Sequence, residues 1–231
     1  MEYSTWQPYY EQIVADLHLD VAADTQAALE AAKLAPRAQL ASIGRLSALI
    51  FDRRVLVCGD GPALRQEVTE HPFSGTRIAA DGATSTLMTA GIRPEIIVTD
   101  LDGRVEDQLQ ANGQGSLLVV HAHGDNLPAL RRYLPKVAGP LLLTTQTQPS
   151  EEVHNFGGFT DGDRAVFLAD HFGAATITLV GFDFTTPSSS SGKTPSERKL
   201  RKLTWAAVLI GMLQLDNLAF IGEGPPQSWA R

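Results

Sequence analysis

The run Thr99-Asp100-Leu101-Asp102-Gly103 carries the strongest chemical signal in the chain. Asp100 and Asp102 stand two apart at the end of an apolar stretch, so extended geometry sends both carboxylates to one side. Carboxylates so placed repel each other unless a cation sits between them. Their hard oxygens, completed by water and phosphate, suit Mg²⁺. The plainer alternative is an Asx-turn closed by Gly103, but the acidic neighbours favour the metal. His121, His123 and Asp125 alternate in HAHGDN. Such a pattern suits zinc or iron, yet two histidines without a glutamate in helix register rank that second. Asp125 as a further Mg²⁺ ligand, with His123 on a phosphate, fits better, and His121 also reads as a structural strand-end residue. Gly59-Asp60-Gly61-Pro62 offers a glycine turn whose backbone N–H groups suit a phosphate. Leu64 stands where a dinucleotide fingerprint needs its third glycine, so a plain βα turn competes. Asp81-Gly82 repeats the acid–glycine pairing. In HNFGGFTDGDRAV, Asn155, Phe156, Gly158, Asp161 and Asp163 suggest a pocket for a flat ligand or a metal, against helix capping by Thr160 or the aspartates.

These motifs need elements to hold them at one place. From Val55 onward, short apolar runs alternate with helical segments. The runs are VLVCG (55–59), RIAAD (77–81), EIIVTD (95–100), SLLVVHA (116–122), PLLLTT (140–145) and TITLVGFD (176–183), with NLAFIG as a last strand. Continuous apolar strands interleaved with helices predict a mostly parallel sheet covered on both faces. Right-handed crossovers then make it a doubly wound, Rossmann-like α/β fold. Ligands bind such a sheet outside the carboxyl ends of its strands, which is where the acids and glycines collect. Residues 1–52 read as an N-terminal helical region, with an alanine-rich stretch interrupted by Pro36. Residues 53–231 form the α/β catalytic domain. Its 185–197 loop, rich in Ser, Pro and Gly, is read equally as a surface loop or as a flap over the substrate.

Composition narrows the function classes. The 231 residues carry a formal net charge of -7, which argues against non-specific nucleic-acid binding. A bound cation reverses that field locally, so a nucleotide ligand stays open. The single cysteine, Cys58, excludes an internal disulfide and a multi-cysteine zinc site. The N-terminus has no signal-peptide pattern and no apolar run spans a bilayer, so the expectation is a cytoplasmic protein with no membrane partner. The N-terminal helices cap the sheet or pair two copies, with a homodimer slightly preferred.

Taken together, GDGPAL, ADGAT, IRPEIIVTDLDG, HAHGDN, NFGGFTDGDRAV and GFDF resemble the archaeal 6-hydroxymethyl-7,8-dihydropterin pyrophosphokinases of the MptE-like type. That family is similar in turn to the thiamine pyrophosphokinase catalytic domain, where ADGA, an acidic DxD and a later Asp bind nucleotide and magnesium. The resemblance covers residues 53–186 and continues into the Lys/Arg-rich loop. It implies ATP-dependent transfer of a diphosphate to the hydroxymethyl group of the dihydropterin, releasing AMP. It also implies Asp81, Asp100, Asp102 and Asp125 as Mg²⁺ ligands, of which Asp100, Asp102 and Asp125 are catalytic. Gly59, Gly61, Pro62, Asp81, Gly82, His123, Lys193 and Lys199 would face ATP, with Arg198 and Lys202 closing over the phosphates. Asn155, Phe156 and Gly158 would face the pterin, while Asp161 and Asp163 would complete the metal site or hydrogen-bond the pterin. The family usually has a serine after the GxGP turn, where this chain has Ala63, which removes a hydroxyl–phosphate contact there. The residues alone leave two other readings open: a thiamine pyrophosphokinase-like or nucleotide-sugar transferase, and a non-enzymatic nucleotide-binding regulatory module.

Overall fold

The computed structural model describes residues 1–185, 197–222, 224, 226 and 229. Eight strands form one sheet: β1 (Arg54–Cys58), β2 (Thr76–Ala80), β3 (Ile96–Thr99), β4 (Leu117–Ala122), β5 (Leu141–Thr145), β6 (Val153–His154), β7 (Thr176–Val180) and β8 (Leu218–Phe220). The spatial order is β6-β5-β4-β3-β2-β1-β7-β8, and every pairing is parallel. The expected doubly wound α/β sheet is therefore present, and each expected strand is in it. The two-residue edge strand β6 is the addition: it runs into the HNFGG segment at His154, a segment that as sequence reads as a ligand pocket.

Both faces of the sheet are apolar, as burial between helices demands. Val55, Val57, Ile78, Val98 and Leu179 face one side, where α3 (Ile43–Ile50), α8 (Asp161–His171) and α9 (Glu197–Met212) pack. Ile97, Leu118, Val120 and Leu143 face the other, under α2 (Val21–Leu34), α6 (Val105–Gly113) and α7 (Leu127–Tyr133). Leu56 and Cys58 share that second side with α4 (Leu64–Glu70) and α5 (Ala83–Thr89). Cys58 is fully buried and its thiol is pushed up to about 12 by burial, which makes it an inert core residue. Among the described residues, no helix is long and apolar enough to cross a membrane.

The N-terminal helices are built into this core. In α1 (Tyr3–Leu17), Trp6, Ile13 and Leu17 pack against Phe159, Phe167 and Leu209. Asp16 of α1 accepts a hydrogen bond from Trp205 Nε1 at 2.9 Å and pairs with Arg201, fixing α9 across the carboxyl edge of the sheet. Helix α2 starts at Asp20, whose carboxylate caps the amides of Ala22 and Ala23. Its alanines explain its composition. Ala27 and Ala31 are fully buried, and side chains this small let α2 lie close to β4 and β5. At its far end Glu30 pairs with Arg131 of α7.

Replacing Ala31 with Leu forces about three extra carbons into that contact. We expect Ala31→Leu to lower unfolding stability by about 1–3 kcal/mol in urea denaturation. An unchanged midpoint would contradict the close approach of α2.

Candidate active site

The order of strands reverses between β1 and β7, and this is where a doubly wound sheet opens a crevice. A cavity of about 670 Å³ lies there and extends along the carboxyl ends of β2, β3 and β4. Its floor holds Asp81, Asp100, Asp102 and Asp161; its walls include His123, Arg164 and Phe182; α9 supplies Arg198, Lys199 and Lys202 at its mouth.

Asp81 ends β2. Its Oδ1 accepts hydrogen bonds from Thr99 Oγ1 at 2.7 Å and Gln108 Nε2 at 2.8 Å, which aims the other oxygen away from both donors. Asp100 follows the last residue of β3 and receives His123 Nε2 at 3.2 Å on Oδ2. Asn126 Nδ2 donates to the carbonyls of both Asp100 and His121, tying the ends of β3 and β4 together. Asp161 opens α8, which runs across the face of β1, β2 and β3. One oxygen each of Asp81, Asp100 and Asp161 lies within 4.8 Å of the others. Asp100 Oδ1 and Asp161 Oδ1 are buried and accept no hydrogen bond. Buried anionic oxygens normally have partners, and hard oxygen atoms gathered in this way fit a divalent cation such as Mg²⁺.

The electrostatics agree. Burial opposes ionisation of Asp100, yet the His123 hydrogen bond and the charges of His123 and Arg164 outweigh it and hold the carboxyl below its usual value. Burial first, and then the Asp100 charge, raise Asp81. Burial followed by the charges of Asp100 and Asp81 pushes Asp161 well up, against the pull of Arg164. Asp102 is pushed up to about 8 by burial and by Asp100 and Asp81.

Several expectations change at this level. Asp100 and Asp102 do not continue a strand: β3 stops at Thr99, and Leu101 takes a left-handed φ of 67° with its side chain in the core. That turn sends Asp100 into the trio and leaves Asp102 at a more exposed position. Asp125 lies outside the trio; its side chain is 66% exposed and pairs with Arg198 at 3.4 Å. Asp161 occupies the third position instead. The amides of Gly59 and Gly61 are already committed, donating to Val180 O at 2.9 Å and Gly181 O at 2.8 Å. These glycines permit contact between two loops, since a Cβ on Gly59 would lie 2.7 Å from Gly181 O. Both still line the cavity, as does Gly82, whereas Pro62 is exposed and does not.

The GGFTDGD segment divides. Asp161 and Gly162 reach the cavity, but Asn155, Phe156, Gly158 and Asp163 do not line it. The Asn155 amide donates to Thr147 O at 2.8 Å. Phe156 packs between His154, His171 and Phe172. Gly158, with φ of 85°, lies against the backbone of Arg164. Asp163 is fully buried and closes a capping box with Thr160. Lys193 and most of the 185–197 loop lie outside the described residues. Arg164, Gln146 and Asp24 line the cavity without having been singled out as site residues; only a buried position betrays them, and no local spacing does.

Fold and site together define an α/β protein with a cavity at the carboxyl edge of a parallel sheet, lined by a carboxylate trio. A solved glycosyltransferase from Magnetospirillum magneticum, MAf, shares the fold with a TM-score of 0.52 at 13% identity, covering 78% of this chain and 33% of that one. The sequence model described as 6-hydroxymethylpterin diphosphokinase MptE-like matches residues 30–189, and the chain belongs to this MptE-like family. It is 42% identical to a 6-hydroxymethyl-7,8-dihydropterin pyrophosphokinase of Pyrococcus furiosus, over 96% of this chain and 99% of the relative. Relatives of the same name in Methanothermobacter thermautotrophicus and Methanocaldococcus jannaschii are 41% and 35% identical, over 94% and 93% of this chain and 97% and 96% of their own lengths.

The raised Asp102 carboxyl makes the metal-free protein sensitive to pH. Its folded value, about 8, lies above the ordinary 3.8, so the unfolded chain gives up this proton more readily. Stability from this group is intact below about pH 4 and falls as pH rises towards 8. In EDTA, Asp102→Asn should therefore raise the thermal midpoint at pH 8, by roughly 2–4 °C for each kcal/mol recovered, and leave it unchanged below pH 4. An equal gain at both pH values would contradict the assignment.

Proposed function

We propose that this protein transfers a diphosphate from ATP to the hydroxymethyl group of 6-hydroxymethyl-7,8-dihydropterin and releases AMP. Membership of the MptE-like family and near-full-length relatives of that name support the reaction. The structural observation that carries it is the carboxylate trio with two orphaned oxygens beneath the cationic groups of α9.

In the reaction the substrate hydroxyl oxygen forms a bond to the β-phosphorus. The bond from that phosphorus to the oxygen bridging the α-phosphate breaks, AMP leaves with that oxygen, and the hydroxyl proton is released. Asp81, Asp100 and Asp161 would hold Mg²⁺, with Asp102 beside them. A divalent ion held there would neutralise phosphate charge. The protein's own share is positioning and charge. Thr99, Gln108 and His123 hold the carboxylates in place through hydrogen bonds. Arg198, Lys199 and Lys202 attract the polyphosphate at the mouth. Phe159, Phe182, Phe184 and Leu203 add apolar wall suited to flat rings.

Incubated with ATP, Mg²⁺ and 6-hydroxymethyl-7,8-dihydropterin, the protein should form AMP and pterin diphosphate one for one. ADP as product, or thiamine consumed in preference to the pterin, would overturn the reading. Asp100→Asn should lower kcat by about 10²-fold or more while the circular dichroism spectrum is retained. Full turnover in that variant would remove Asp100 from the mechanism.

A further inference from the structure

We infer that Asp24, on α2, is a positioning residue that sets the geometry of the carboxylate trio through two arms. It lies outside residues 30–189 matched by the family model. It is 4% exposed, and both its oxygens are engaged.

The first arm runs to Asp100. Asp24 Oδ1 accepts the Gly124 amide at 2.8 Å. That bond pins the turn that begins with His123, and His123 Nε2 meets Asp100 Oδ2 at 3.2 Å. Gly124 is required for this approach, because a Cβ there would stand 2.7 Å from that of Ala23 on α2. The second arm runs to Asp161. Gln146, just past β5, donates Nε2 to Asp24 Oδ2 at 2.6 Å. Its Oε1 accepts Arg164 Nη2 at 3.0 Å, and Arg164 Nη1 stands 3.8 Å from Asp161 Oδ1. The amide of Gln146 is thereby oriented at both ends, which fixes the guanidinium plane. Tyr10 donates to the same Asp24 oxygen at 2.5 Å. Gln146 and Arg164 are 4% and 8% exposed, so little water competes with the relay. The first arm meets Asp100 Oδ2 and leaves Oδ1 without a hydrogen bond; the second brings the guanidinium to 3.8 Å from Asp161 Oδ1, which likewise accepts none. Groups that orient metal ligands from behind commonly change metal affinity by roughly 10- to 100-fold.

The inference rests on the trio being a cation site. Mn²⁺ serves as the probe, and its dissociation constant is measured calorimetrically on the full chain without nucleotide. Asp24→Asn and Gln146→Met should each weaken Mn²⁺ binding by roughly tenfold or more. The double variant should be no weaker than Asp24→Asn alone, because both changes cut the same arm. Ile50→Val, a core change at the opposite edge of the sheet, should leave Mn²⁺ affinity unchanged. Wild-type affinity in Gln146→Met, additive losses in the double variant, or an equal loss in Ile50→Val would each overturn the relay. If Asp24→Asn fails to fold, Gln146→Met decides alone. Absence of Mn²⁺ binding by the wild-type chain would overturn the cation site and the relay with it. Retained affinity in the variants overturns the relay only.

Discussion

Three carboxylates with oxygens within 4.8 Å of one another are the constraint on which the site depends. Such a group repels itself in a poorly solvated pocket. The fold answers with fixed donors: Thr99 and Gln108 on Asp81, His123 on Asp100, and the Arg164 guanidinium beside Asp161. Asp81 and Asp100 each keep one oxygen outside these hydrogen bonds, and Asp161 Oδ1 faces the guanidinium at 3.8 Å without one. The remaining charge is what makes the place attractive to a divalent cation.

Holding those donors explains much of the surrounding architecture. Helix α8 crosses the sheet face so that its first turn delivers Asp161 while Asp163, two residues later, is consumed by the capping box. Arg164 is buried beside them because Gln146 receives it. Asp81 and Leu101 adopt left-handed φ values of 41° and 67° where the chain leaves β2 and β3. Non-glycine residues in that region cost on the order of 1–3 kcal/mol each. The strain is placed where it turns carboxylates towards one point, and the apolar packing of Leu101 helps to offset it.

Much of the fold was legible in the chain. Alternation of apolar runs with helical segments encodes a parallel sheet because each strand must be apolar on both faces. The β6 edge strand was not legible, since two residues carry no period. At the site, Asp81, Asp100, Asp102 and His123 follow from their position at strand ends. Asp125 has the matching spacing, but the turn after β4 pairs its side chain with Arg198 in the cavity lining, apart from the trio. The glycines of the first βα turn looked like a phosphate cradle, yet their amides close the gap to β7. Glycine spacing reports close backbone approach and does not say what approaches.

The sequence by itself determined the parallel α/β layer and the edge of the sheet at which the acids collect, because strand period and strand ends are local properties. It also determined the family, through motifs short enough to survive as strings. Only the tertiary structure decided which three aspartates converge, and that Asp24 of α2 bonds the residues that support them. Asp24 is 100 residues from Gly124 and 122 from Gln146. Contacts at such separation depend on how the helices stack on the sheet, and no local periodicity encodes them.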